Sequence, residues 1–159
     1  MSSDAQSPPQ RPTPSTYIGS CHCKFITYSA SIDFTLSGFT KCNCGICQKA
    51  GYLIANPLPG SFQLKTPLEG EAALKDYQFG PKSVHHFFCP HCGVRCFLRG
   101  TYEDDGKTHE FLNVNAVTLD EKEGPDKEME DFCNIKTTYV DGRTGNWEPL
   151  DKPYKGGVW

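Results

Sequence analysis

Three thiols packed into six residues constrain this chain more than any other feature it has. Cys42, Cys44 and Cys47 stand in the run C-N-C-G-I-C, with Cys21/Cys23 before it and Cys89/Cys92 after it. Clustered cysteines end as disulfides, redox dithiols or metal ligands, and the redox compartment decides among these. The N-terminal run from Met1 to Gln10 has no apolar segment of the secretory kind, and no apolar stretch approaches the length that spans a bilayer. The chain therefore reads as cytoplasmic, with the nucleus also open to it, and its thiols as reduced. Nine cysteines is also an odd number, which leaves one over in any all-disulfide scheme. A thioredoxin-like dithiol is disfavoured because the βαβ pattern around such motifs is missing. Metal ligation is the reading that remains.

The rest of the composition sets limits on partners and size. Sixteen basic against nineteen acidic residues give a net charge of −3 over 159 residues, without the positive field of a nucleic-acid binder. Neither a nucleic acid nor a membrane is expected as a partner. A hydrophobic content of 37% supports one modest core, so a fold of this size calls for staples. Residues 1–16, with Pro8, Pro9, Pro12 and Pro14 among Ser, Thr and Gln, read as a disordered tail. Residues 17–159 read as a single domain.

That domain reads as mainly β. Period-two alternation predicts two strands between Lys24 and Leu36, then short strands over Tyr52 to Asn56, Ser61 to Lys65, Leu74 to Phe79, Val84 to Phe88, Val94 to Leu98, Glu110 to Val117 and Phe132 to Val140. One helical turn is expected from Cys44 to Ala50, ended by Gly51. The charged stretch 120–130 reads as a solvated loop, and the sequence around Trp147 as turn-rich. Many short strands with almost no helix indicate short antiparallel sheets.

The chemistry follows from how the sulfurs divide. Cys89-Pro-His-Cys92-Gly93 between two strands has the pattern of a zinc knuckle. The C-x-C pair Cys21/Cys23 puts both sulfurs on one face of an extended chain, so the four thiols can reach a single metal. A closed, structural zinc is expected there. Cys42, Cys44 and Cys47 are left one ligand short of a tetrahedron. Either the fourth position is open to water or a substrate thiol, or it is closed by Cys96, Cys133, His22, His85, His86, His91 or His109. Two zincs per chain are expected in both cases.

The runs G-S-C-H-C, C-N-C-G-I-C-Q-K-A-G and F-C-P-H-C-G-V-R-C-F, in this order, resemble the glutathione-dependent formaldehyde-activating enzyme / centromere protein V family. The resemblance extends from about Tyr17 to the N-V-N strand ending at Asn115. It implies a β-tent fold of short sheets around zinc, with structural zinc on Cys21, Cys23, Cys89 and Cys92 and catalytic zinc on Cys42, Cys44 and Cys47. The implied reaction joins glutathione to formaldehyde reversibly, giving S-hydroxymethylglutathione, which makes the chain a carbon–sulfur lyase. Departures are Asn43 where many members have His, the extra thiol of Cys96, and the lack of a basic N-terminal extension.

Two functions follow. The first is a lyase acting on S-hydroxymethylglutathione or another glutathione conjugate, with a small carbonyl compound as co-substrate and Lys41, Lys49, Arg95 and Arg99 as candidate partners for glutathione's carboxylates. The second is a non-catalytic zinc-stabilised binding module resembling centromere protein V, presenting a sheet face with Phe87, Phe88, Phe97 and Phe111. Oligomeric state is not legible.

Overall fold

A computed structural model of the chain describes residues 14–157. These form two sheets. The smaller has four strands in the order β10-β1-β2-β5: β1 is Ser15–Ser20, β2 Thr27–Ile32, β5 Gln63–Thr66 and β10 Leu119–Lys122. The larger has eight, in the order β12-β11-β3-β4-β9-β8-β7-β6. Here β3 is Phe39–Cys42, β4 Ile54–Ala55, β6 Lys75–Tyr77, β7 Val84–Phe88, β8 Arg95–Asp104, β9 Lys107–Asn115, β11 Thr137–Asp141 and β12 Asn146–Leu150. The one α-helix among the described residues, α1, is Gly45–Ala50. The mainly β expectation holds. All pairings are antiparallel except that of β3 with β11.

Several boundaries differ from those expected, for local physical reasons. β1 begins at Ser15, inside the segment expected as tail, because Ser15 and Thr16 pair with Ile32 and Ser31. The remainder of that segment, residues 1–13, lies outside the described residues. Lys24 to Leu36 carries one strand, not two. Lys24 adopts φ 64° in a turn, and past Ile32 the Asp33 carboxylate accepts the Thr35 N–H (2.9 Å) and reverses the chain. Leu119–Lys122, whose last three residues fall in the stretch 120–130 expected as a charged loop, is an edge strand on β1, with Tyr17 opposite Lys122. Charged side chains are what edge strands carry to deter further pairing, so its polarity concealed it. Phe132 is in a 3-10 turn whose first N–H groups are capped by Asp131, and its ring packs on Phe39 with centroids 5.0 Å apart.

The core is split by the large sheet. Between the two sheets lie Tyr17, Ile26, Tyr28, Ile32, Phe39, Phe97 and Val114, all buried. Side chains on a strand alternate between faces, so the opposite face carries a second cluster of Cys42, Cys47, Tyr52, Leu98 and Val140. Phe87 and Phe97 belong to the inter-sheet core, so they do not form the exposed aromatic face that a binding module would present. No helix among the described residues is long and apolar enough to cross a membrane.

Candidate functional site

The four expected structural ligands meet where two hairpins touch. Cys21 and Cys23 sit in the turn after β1, where Cys21 N–H donates to the Ile26 carbonyl (3.0 Å) and Lys24 N–H to the Cys21 carbonyl (3.0 Å). A reverse turn, not strand alternation, aims this pair at one point, which corrects the extended-chain expectation. Cys89 and Cys92 occupy the turn from β7 to β8, closed by Gly93 N–H to the Cys89 carbonyl (3.0 Å). Sulfurs lie 3.7 Å apart for Cys21 and Cys23 and 3.5 Å for Cys23 and Cys89, and all four fall within 4.8 Å of one another. Four sulfurs held tetrahedrally about 2.3 Å from a zinc ion lie about 3.8 Å apart, so this donor set fits that metal. Backbone N–H groups of Ile26 (3.2 Å, on Cys21), His91 (3.4 Å) and Cys92 (3.5 Å, both on Cys89) point at the sulfurs. Burial pushes the Cys21 thiol up to about 12 and raises Cys89 as well. These thiols give up their protons to a cation and not to neutral water.

Cys42, Cys44 and Cys47 form a second group within 4.8 Å, and no fourth Cys, His, Asp or Glu joins it among the described residues. Cys42 ends β3, Cys44 caps the N-terminus of α1 and Cys47 lies inside that helix. One short helix thus gathers sulfurs that a continuing strand would scatter to two faces. Gly51, at φ 65°, stops the helix and sends the chain back toward β4. Hydrogen bonds from the Cys42 and Cys47 thiols hold the Cys44 thiol well below its ordinary value. The Cys44 thiol raises Cys42 against an opposing effect of Cys47, and Cys42 and Cys44 together raise Cys47.

The residues considered as a fourth ligand go elsewhere. Cys96 is fully buried in the inter-sheet core, where burial holds its thiol protonated. Cys133 is exposed. His85 pairs with Asp76 (2.7 Å), His91 packs its ring edge against Phe25, and His109 stacks on Tyr102. His22 is exposed. His86 alone among the histidines is buried on the face of the second cluster, 6.1 Å from Tyr52 by ring centroids. Burial and then the charge of Arg95 depress its pKa, which keeps the ring neutral.

Arg95 reaches this face because of a β-bulge. His86 pairs with Leu98 and Phe87 with Phe97, but the register shifts after Phe87, so that Phe88 stands opposite Arg95. Strict alternation would have put Arg95 on the side of Phe97. The guanidinium instead lies over the Phe88 ring, 4.9 Å from its centroid. Arg99 stays on the other face, paired with Glu71 and lining a separate groove of 920 Å³ that contains no sulfur. Lys49 is exposed on α1, and Lys41 is on β3. Of the four cations considered for carboxylates, Arg95 is the one beside His86 and Tyr52.

The wall of the second cluster comes from the chain's C-terminal part, which sequence reasoning left as turns. Asn43, 1% exposed, donates from Nδ2 to Asp141 Oδ1 (2.6 Å) and accepts the Arg143 N–H (3.1 Å). Arg143 Nε donates to the Asn43 carbonyl (2.8 Å). These bonds press the β11–β12 turn onto the cysteines so closely that a Cβ on Gly142 would fall 2.4 Å from Cys42 Sγ. Asn43 therefore acts as a clamp.

Residues 16–135 match the family model described as glutathione-dependent formaldehyde-activating enzyme, well over half of the chain. No curated protein matches it. A crystal structure of a Rhodobacter sphaeroides protein is similar in fold, with a TM-score of 0.55 and 20% identity over 77% of this chain and 99% of that one. The matched span holds both cysteine clusters with the strands and helix that carry them, and the chain belongs to the glutathione-dependent formaldehyde-activating enzyme family.

Proposed function

We propose that this protein is a zinc-dependent carbon–sulfur lyase that makes and breaks the bond between glutathione and a small carbonyl compound, formaldehyde in the family's own reaction. The observation that carries this reading is the second cluster: three sulfurs in ligating range, with no fourth protein donor in the group among the described residues. Cys42, Cys44 and Cys47 would hold zinc, and Cys21, Cys23, Cys89 and Cys92 a second, structural zinc. A zinc ion with an open position supplies one thing, a lowered pKa for a thiol that reaches it.

The chain's own residues do the rest. Tyr52, Leu98 and Val140 pack around Cys42 and Cys47 and exclude water from that side. The hairpin held by Asn43 closes another side. A thiolate confined there adds to the carbonyl carbon: the C–S bond forms, the C=O π pair moves onto oxygen, and the proton given up by the thiol ends on that oxygen. The reverse sequence cleaves the adduct. Confinement of both partners against one wall replaces a bimolecular encounter, which is where such a site gains most of its rate. Nine unpaired thiols call for a reducing compartment, and we place the protein in the cytoplasm.

The test is exchange spectroscopy by NMR with ¹³C-formaldehyde and glutathione, alongside cobalt substitution. Faster interconversion of free and adduct carbon, with a thiolate-to-cobalt band that changes on adding glutathione, is expected. A second site indifferent to thiols, with no acceleration, overturns the reading.

A further inference from the structure

We propose that Tyr52, His86 and Arg95 together form the pocket that receives the oxygen of the carbonyl carbon as it joins sulfur at Cys42, Cys44 and Cys47. This rests on the lyase reading and adds to it the residues that meet the reacting oxygen.

Three buried side-chain atoms among the described residues have no hydrogen-bond partner: Tyr52 Oη, His86 Nδ1 and Arg95 Nη1. They belong to neighbouring residues. Tyr52 and His86 are 5% and 4% exposed, with ring centroids 6.1 Å apart. Burial pushes the Tyr52 phenol up to about 12 and lowers His86; the Arg95 guanidinium lies close enough to Tyr52 to oppose that rise by charge and hydrogen bonding, and it further opposes protonation of His86. Buried polar atoms are almost always paired, so three orphans in one place mark where a polar ligand belongs. A guanidinium and a phenol offer N–H and O–H donors, and the ligand they fit is an oxygen carrying negative charge.

Position selects which oxygen. The Tyr52 N–H donates to the Cys47 carbonyl (3.0 Å), and the Tyr52 side chain packs in the same cluster as Cys42 and Cys47. A thiol held at these sulfurs would present its bonded carbon to the cluster in which the Tyr52 side chain packs. The carboxylates of a tripeptide thiol lie several bonds away, and an extended residue spans about 3.5 Å. The oxygen gains its charge only as the C–S bond forms, so donors placed there beforehand lower the barrier without tightening the thiol's binding. Asn115 positions the set: its Oδ1 accepts the Leu53 N–H (3.1 Å) and its Nδ2 donates to the Arg95 carbonyl (3.1 Å). That fixes the residue before Tyr52's neighbour strand β4 and the first residue of β8 to a single side chain.

The test uses the zinc-loaded full chain and Tyr52→Phe and Arg95→Lys, with zinc content and circular dichroism as fold controls. Removing one such donor costs about 10²-fold in turnover. Exchange between formaldehyde and its glutathione adduct is therefore expected to slow by about 10²-fold in Tyr52→Phe. Calorimetric affinity for glutathione alone should stay within about twofold of wild type, since uniform binding is untouched. Glutathione affinity falling in step with turnover overturns the proposal and assigns the trio to a substrate carboxylate. Turnover and affinity both unchanged overturn it too. If the wild type binds no glutathione and accelerates no exchange, the lyase reading fails and takes this one with it.

Discussion

Gly142→Ala should empty the second cluster of metal while leaving the first intact. The added Cβ would stand 2.4 Å from Cys42 Sγ, 3.1 Å from Cys44 Cβ and 3.3 Å from Trp147 Cη2, where ordinary contact begins at 3.4 Å. The sulfur must therefore yield by about 1 Å, several times the roughly 0.2 Å by which a metal–sulfur bond can deviate. Moving the hairpin instead breaks the bonds of Asn43 to Asp141 and Arg143, so neither escape is free. Overpacking of this kind costs about 1–3 kcal/mol. Metal analysis should give two zincs in the wild type and one in the variant, with a modest fall in Tm. Gly45→Ala is the control: it sits in α1, nothing lies within 4 Å of its new Cβ, and alanine suits a helix better by up to about 1 kcal/mol. Two zincs and an unchanged Tm in Gly142→Ala would refute the claim that the C-terminal hairpin walls this site.

Cys92→Ser should cost most or all of the folded state, read by thermal melts and soluble yield, because structural zinc contributes about 10 kcal/mol or more in small domains. Cys44→Ser should keep the fold and lose glutathione-dependent exchange, since Cys44 is only partly buried and outside the inter-sheet core. Mild acid should release metal, followed with a chromophoric chelator. Burial raises Cys21 and Cys89, so their protons compete strongly with a cation, and stability held through metal is present near neutrality and lost as pH falls. Asn43→Ala should cost about 1–3 kcal/mol in urea unfolding, because Asn43 is buried and the Arg143 N–H loses its acceptor.

What the sequence revealed was whatever is local. The knuckle at Cys89 to Cys92, the strand Val84–Phe88, and the helix ended by Gly51 follow from residues a few positions apart. The β8–β9 hairpin carried a local signal as well, but the expected strands, ending at Leu98 and starting at Glu110, missed it. Asp105 and Gly106, at φ 47° and 69°, form a tight turn of the Asp-Gly type, whose signal extends both strands beyond the bounds expected. By contrast, β10 is held by backbone bonds to β1 while its side chains stay charged, and β3 lies parallel to β11 across most of the chain. Neither pairing leaves a pattern in its own residues. The same division runs through the site. The sulfurs announce themselves, but Tyr52, His86 and Arg95 meet only because of sheet register and a bulge after Phe87.

The two cysteine clusters differ in what they hold together, and chain separation gives the size of the difference. Cys23 and Cys89 are 66 residues apart and join a hairpin of the small sheet to one of the large sheet. Cys42 and Cys47 span only a strand end and one turn of helix. Loop-closure entropy grows as (3/2)RT ln n, so fixing the first pair constrains the unfolded chain by about 2 kcal/mol more than fixing the second. A metal at the first cluster therefore stabilises the pairing of the sheets as well as its own loop. A metal at the second orders little that α1 and the Asn43 clamp do not already hold. The second cluster can for that reason leave a coordination position to a substrate without endangering the fold, whereas the first cannot.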